Sequence, residues 1–221
     1  KKAEYMAYAQ DQAKNRKDEN LVKLLDTVPA HGGVICLDPS YRLNDEGRRH
    51  LTVHNLGHQT LLGYAKRRGD VQVPGWLVEG FPSWLDSALL NLPGACCVAK
   101  VGYTGDQYEN RGNRGSWEQV AVQVVRDGQS GKTDPKTQKP VYTRLGNLMG
   151  VKFDKLTGPD VAVSWCIVKD LLKKPGAFKE FLDGILAGNK QAEGFRTSYD
   201  KSVDDWEKSW MKSLLARAPE E

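Results

Sequence analysis

Hydrophobic and polar positions along this chain follow helical spacing over most of its length, broken by two short β-prone runs. Residues 3 to 27 are rich in Lys, Glu, Asp and Gln, with Leu21, Val22, Leu24 and Leu25 near the end. That pattern reads as a solvated helix that docks late. Gly32 to Leu37 is an apolar run between a glycine pair and Asp38-Pro39, which predicts a strand. From Asn44, an N-cap candidate followed by Asp45 and Glu46, a helix is expected to about Arg68, with Gly69 as its stop. Pro74 then opens a second amphipathic helix carrying Trp76, Leu77, Phe81, Trp84 and Leu85, with Pro82 inside the run. Ala95 to Val101 is the second β-prone run, and Tyr103 to Gly115 reads as a polar loop.

Ser116 and Gln119 form a capping-box signature for a helix bearing Trp117, Val120, Ala121, Val124 and Val125, and Gly128 to Pro140 reads as a loop. Three further helical patterns follow at about 160 to 173, 176 to 187 and 203 to 217. The last is capped by Ser202 and Asp205 and places Trp206 and Trp210 on a face that should be largely buried. The pattern predicts an α+β fold: an N-terminal helical extension (1–30), a mixed core with a small sheet (31–140) and a C-terminal helical subdomain (141–221). No internal repeat is present.

Composition narrows the classes of function. With 39% hydrophobic and 27% charged residues over 221 positions, the chain suits a folded domain and not a disordered segment. Its 32 basic and 28 acidic residues, net +4, are spread without a basic run interleaved with aromatics, which argues against nucleic acid as a partner. No apolar stretch approaches the ~18 residues that span a bilayer. Lys1 opens the chain without methionine or a signal-peptide pattern. The expectation is that an upstream segment has been removed; the compartment stays open, with an extracytoplasmic setting preferred. Cys36, Cys96, Cys97 and Cys166 lack CxxC spacing, so no metal role is assigned to them, and their disulfide state stays open.

The candidate chemistry lies in His54-Asn55-Leu56-Gly57-His58 and Trp76-Leu77-Val78-Glu79-Gly80. Residues four apart lie on one helix face, so His54 and His58 can offer two imidazoles to one ion, with Glu79 as a third ligand. Two imidazoles and a carboxylate leave a fourth tetrahedral position for water, as in a catalytic zinc centre. The competing reading makes them ordinary core or surface histidines and a solvated carboxylate. His50 lies on the same face but ~12 Å along the axis from His58, too far to share the ion.

The order strand, HxxxH helix, Trp-Leu-x-Glu-Gly helix resembles the gluzincin zinc metallopeptidases, and more narrowly the bacterial peptidase-MA-like domains, across roughly residues 32 to 215. That resemblance implies a gluzincin-like α+β fold, one zinc per chain, and His54, His58 and Glu79 as its ligands. The chain departs from the family at Asn55, which stands where the HExxH motif carries the glutamate that takes a proton from zinc-bound water. A carboxamide cannot do that. Four residues beyond the ligand glutamate, where an acidic side chain often orients a histidine, the chain has Ser83, a weaker acceptor. Tyr103, Tyr108 and Glu109 are the candidates for completing a cleft, by position alone. The expected function is a degenerate metallopeptidase-like domain that binds metal and a peptide or protein partner without efficient hydrolysis. An active zinc peptidase with a displaced base and a metal-free assembly module remain open beside it.

Overall fold

Glycine and proline positions, more than any β pairing, set how the helices of this chain meet. The computed structural model describes residues 45–69, 71–90, 117–135 and 137–217. Its elements are α1 (Asp45–Lys66), α2 (Gly75–Leu90), α3 (Trp117–Gln129), the short α4 (Leu145–Leu148), a 3-10 turn (Phe153–Lys155), α5 (Gly158–Leu171), α6 (Pro175–Leu186), α7 (Gln191–Tyr199) and α8 (Val203–Arg217).

The α1 and α2 helices lie side by side. Val53 and Leu56 of α1 share a small apolar cluster with Leu85 and Leu89 of α2. Between that cluster and the main core the two backbones nearly touch: a Cβ built on Gly57 would stand 2.5 Å from the Cα of Pro82. Only glycine lets the proline ring come so close. Pro82 removes one intrahelical donor, yet α2 runs unbroken from Gly75 to Leu90. The other side of α2 is held by a second close approach, in which a Cβ on Gly80 would stand 2.9 Å from the Ser164 carbonyl oxygen of α5.

α5 is the central helix. A capping box starts it: the Thr157 side chain accepts from the Asp160 amide, and the Asp160 carboxylate accepts from the Thr157 amide at 2.9 Å. The residues from Val161 to Val168 are all buried, so the helix is apolar on every side, as a helix enclosed by others must be. Each fully buried Val, Ile or Leu contributes about 1.5–3 kcal/mol. One main cluster runs from Leu61 and Trp76 through α3 and α5 to Phe195, Trp210 and Leu214, drawing on residues both before and after position 140.

The α+β expectation is corrected here. Among the described residues there is no strand; the β content is one isolated antiparallel bridge between Thr133 and Pro140. α2 packs against α1 on one side and against α5 on the other. Helix packing therefore takes the place of a sheet, and the described part is a helical bundle. The predicted strands at 32–37 and 95–101, the N-terminal helix at 3–27 and the Ser116 cap lie outside the described residues.

Most helix expectations hold. Gly69, at φ +113°, follows the end of α1 as the stop. Ser202 caps α8, accepting from the Asp205 amide at 3.1 Å. Val203, Trp210 and Leu214 are buried on the inner face of that helix, whereas Trp206 is only half-buried and stacks on Trp210. α8 is also tied by charge: the fully buried Glu207 carboxylate accepts from the Tyr142 hydroxyl at 2.5 Å, the Leu145 amide at 2.6 Å and Arg144 Nε at 3.3 Å. Burial, then the bond to Glu207, raises the Tyr142 hydroxyl's pKa far above its usual range, so it remains a donor. Two helices went unexpected, α4 and α7. α7 buries only Gly194, Phe195 and Tyr199 out of nine residues, too few to set a visible period.

Candidate metal centre

Because Gly57 lets Pro82 in, the turn of α2 that carries Glu79 faces the turn of α1 that carries the two histidines. Three ligand-type side chains, His54, His58 and Glu79, converge with their donor atoms all within 4.8 Å of one another. His54 Nε2 lies 3.1 Å from His58 Nε2 and 3.4 Å from Glu79 Oε1, and His58 Nε2 lies 3.7 Å from Glu79 Oε2. The i, i+4 spacing on α1 brings the rings to 4.8 Å between centroids, edge to face.

Burial shapes the chemistry of the cluster. The side chains of His54 and Glu79 are fully buried, while that of His58 is 13% exposed. Loss of water, and then the neighbouring His54, lower the His58 pKa to about 4 against the opposing pull of Glu79. His58 is therefore neutral at pH 7, the form of imidazole that can coordinate a metal. A carboxylate taken out of water beside a neutral imidazole gains a full counter-charge when a cation binds.

Ligands held about 2.05 Å from a tetrahedral ion stand about 3.3 Å apart. The two imidazole nitrogens, 3.1 Å apart, lie near that edge, while each histidine faces a different oxygen of the carboxylate, at 3.4 and 3.7 Å, and one donor atom from each residue keeps the three within 4.8 Å of one another. The buried His54, His58 and Glu79 cluster can thus hold a metal ion.

The remaining predicted positions are less closely engaged. Asn55 is half-buried on α1, directly after His54. Ser83 is buried one turn beyond Glu79, but its hydroxyl makes no hydrogen bond among the described residues, so it does not hold an imidazole in place. Tyr103, Tyr108 and Glu109 lie outside the described residues.

Several residues that build the site carry no ligand chemistry; Trp76 and Pro82 stood out in the sequence as helix residues, whereas Gly75 and Gln191 did not. Gly57 and Pro82 set the helix contact. Trp76, buried at the start of α2, donates from Nε1 to Gln191 Oε1 at 3.0 Å, and Gln191 donates on to the Met149 carbonyl at 2.8 Å. Gly75 accepts the chain from the other side: a Cβ there would stand 2.7 Å from the Phe153 amide nitrogen. That contact sets Phe153 beside the site, where its ring meets His58 edge-on at 6.3 Å between centroids. A glycine between the two histidines and a proline within α2 were the available signals, since both disfavour a helix interior unless packing requires them.

Comparison with protein-family models, with curated proteins and with solved structures finds no match to this chain. Among the described residues, no helix is long and apolar enough to cross a membrane.

Proposed function

We propose that this chain binds one zinc ion through His54, His58 and Glu79, and that it is a metallopeptidase-like domain that engages a peptide or protein partner without efficient hydrolysis. The observation that carries the reading is the buried convergence of two imidazole nitrogens and a carboxylate, one donor atom from each lying within 4.8 Å of the others. Zinc is taken over iron, which shares this ligand set, because two imidazoles and a carboxylate with one open position are the donors of a catalytic zinc centre. When bound, zinc would polarise a carbonyl or a water at the fourth position.

The chain's own residues limit the chemistry beside that position. Asn55 comes directly after His54 on the same turn and offers a carboxamide, which hydrogen-bonds but takes no proton near neutral pH. Missing general-base help removes about 10²- to 10⁴-fold in rate. The cluster that remains orients a carbonyl without driving its hydrolysis, and binding is the activity left to it.

Elemental analysis of the purified protein tests the reading, with and without chelation. One zinc per chain is expected, lost in His58→Ala, and zinc at about a hundred times its dissociation constant should add ~2.7 kcal/mol to stability. Absence of stoichiometric metal together with an unchanged unfolding midpoint on zinc addition would refute it. Chelator-sensitive cleavage of unstructured peptides at enzymatic rates would instead overturn the binding-only part. Asn55→Glu is the substitution expected to create some such cleavage.

A further inference from the structure

The α6–α7 hairpin holds both helices that carry the ligand cluster. Asp183 of α6 accepts from the Tyr64 hydroxyl in the last turn of α1 at 2.5 Å and pairs with Arg68, just beyond that turn, at 2.5 Å. Gln191, the first residue of α7, accepts from Trp76 Nε1 in the first turn of α2 at 3.0 Å. Phe181 of α6 lies against the same indole, with 6.3 Å between ring centroids. α6 and α7 pack on one another. The end of the histidine helix and the start of the glutamate helix are thus gripped by one pair of helices, through side chains 119 and 115 positions away in the chain.

We infer that Asp183 and Gln191 are positioning residues of the proposed metal centre, two halves of a clamp that fixes the angle between α1 and α2 and with it the gap from His58 to Glu79. The inference rests on the metal reading and adds what holds the geometry of that site. α1 and α2 come closest at Gly57 and Pro82, and two rods that touch at one point can scissor about it. Clamp and ligands share one side of that pivot: Glu79 stands three residues and Trp76 six before Pro82, while His58 stands one and Tyr64 seven after Gly57. At 1.5 Å rise per residue the clamp grips about 9–10 Å from the pivot and Glu79 lies about 4.5 Å from it, so a shift at Trp76 reaches Glu79 at about half its size. His54, three residues before Gly57, sits across the pivot, so scissoring moves the two histidines in opposite senses relative to α2. Placement to within about 0.5 Å is what a metal site needs. Both grips are specific. Gln191 Nε2 donates to the Met149 carbonyl at 2.8 Å, which turns Oε1 toward the indole, a donor only. Trp76 is fully buried, so its N–H has no water to turn to.

The test titrates the full chain with cobalt(II), whose visible absorption reports both uptake and coordination geometry. Gln191→Met and Asp183→Leu keep much of the side-chain volume and remove the hydrogen bonds. Each should weaken cobalt binding roughly tenfold and shift the absorption bands. Asp183→Asn loses the charge but keeps an oxygen for Tyr64, and should retain most of the affinity. Val124→Ala opens a cavity in α3 and touches neither grip; it should lower the unfolding midpoint while leaving cobalt affinity and spectrum as in the parent. Parental affinity and spectrum in either Gln191→Met or Asp183→Leu would overturn the clamp while leaving the metal centre standing. So would a loss in Val124→Ala as large as theirs, which would trace the effect to stability alone, or a loss in Asp183→Asn as large as in Asp183→Leu, which would trace it to charge. Failure of the unaltered protein to take up cobalt would overturn the metal reading, and the clamp with it.

Discussion

Replacing Gly57 by alanine sets two physical effects against each other with opposite signs. On helix propensity alone the change should stabilise α1 by about 0.8–1.0 kcal/mol. The contact with α2 says the reverse, since the new methyl would stand 2.5 Å from the Cα and 2.9 Å from the Cβ of Pro82. Reaching ordinary contact at 3.4 Å requires the backbones to part by about 0.9 Å (3.4 − 2.5). Pro82 has no alternative rotamer to retreat into, so the helices themselves must move. Overpacking of this kind costs typically 1–3 kcal/mol, and a backbone contact belongs at the upper end, leaving a net loss of about 1–2 kcal/mol after the propensity gain. Gly63 provides the control on the same helix: nothing lies within 4 Å of a Cβ there, so Gly63→Ala should stabilise the protein by several tenths to about 1 kcal/mol. Urea denaturation of both variants gives the two signs directly. The metal titration adds a second readout, because parting α1 from α2 draws Glu79 away from His54 and His58 and should weaken metal binding in Gly57→Ala but not in Gly63→Ala. If Gly57→Ala proves as stable as the parent and binds metal equally well, the close approach of the two helices is wrong.

Acid should weaken the metal-free protein through His58. Its folded pKa lies near 4 against 6.5 for the free side chain. Its contribution is therefore intact above about pH 6.5, falls as pH drops toward 4 and is flat below that, a loss of about 3 kcal/mol. Comparing the urea midpoints of the parent and His58→Gln across that window isolates the effect, and identical slopes would refute it. Glu207→Leu should cost about 3 kcal/mol or more, because it leaves the Leu145 amide and Tyr142 hydroxyl without their acceptor. A loss under about 1 kcal/mol in thermal or urea unfolding would mean that those donors find other partners.

The ligand cluster was legible in the sequence because two of its members sit at a helical spacing and the third on a helix marked by its own tryptophan and proline. Helices α1, α2, α3, α5, α6 and α8 were legible for the same reason: each is long enough for its apolar period or its cap to stand out. The architecture was not. A small sheet was expected in the core spanning 31–140, whereas the described residues form a helical bundle in which α5, itself predicted as a helix, packs on α2. Nor could Gly57 be matched with Pro82, or Gly80 with Ser164, since such pairs exist only once two distant segments have met. Local patterns report what each segment prefers. Which backbones touch is a property of the assembled bundle.

The buried Glu207 has a consequence for how α8 behaves over time. Helices at the edge of a bundle commonly exchange their amide protons through cheap local openings. Here detaching α8 would strip the acceptor from the Leu145 amide and the Tyr142 hydroxyl at once and expose Trp210 and Leu214. The lowest-energy route to exchange at Leu145 is then the cooperative opening of the bundle. Its amide should be among the most protected in the protein, and proteases should find no early cut within α8.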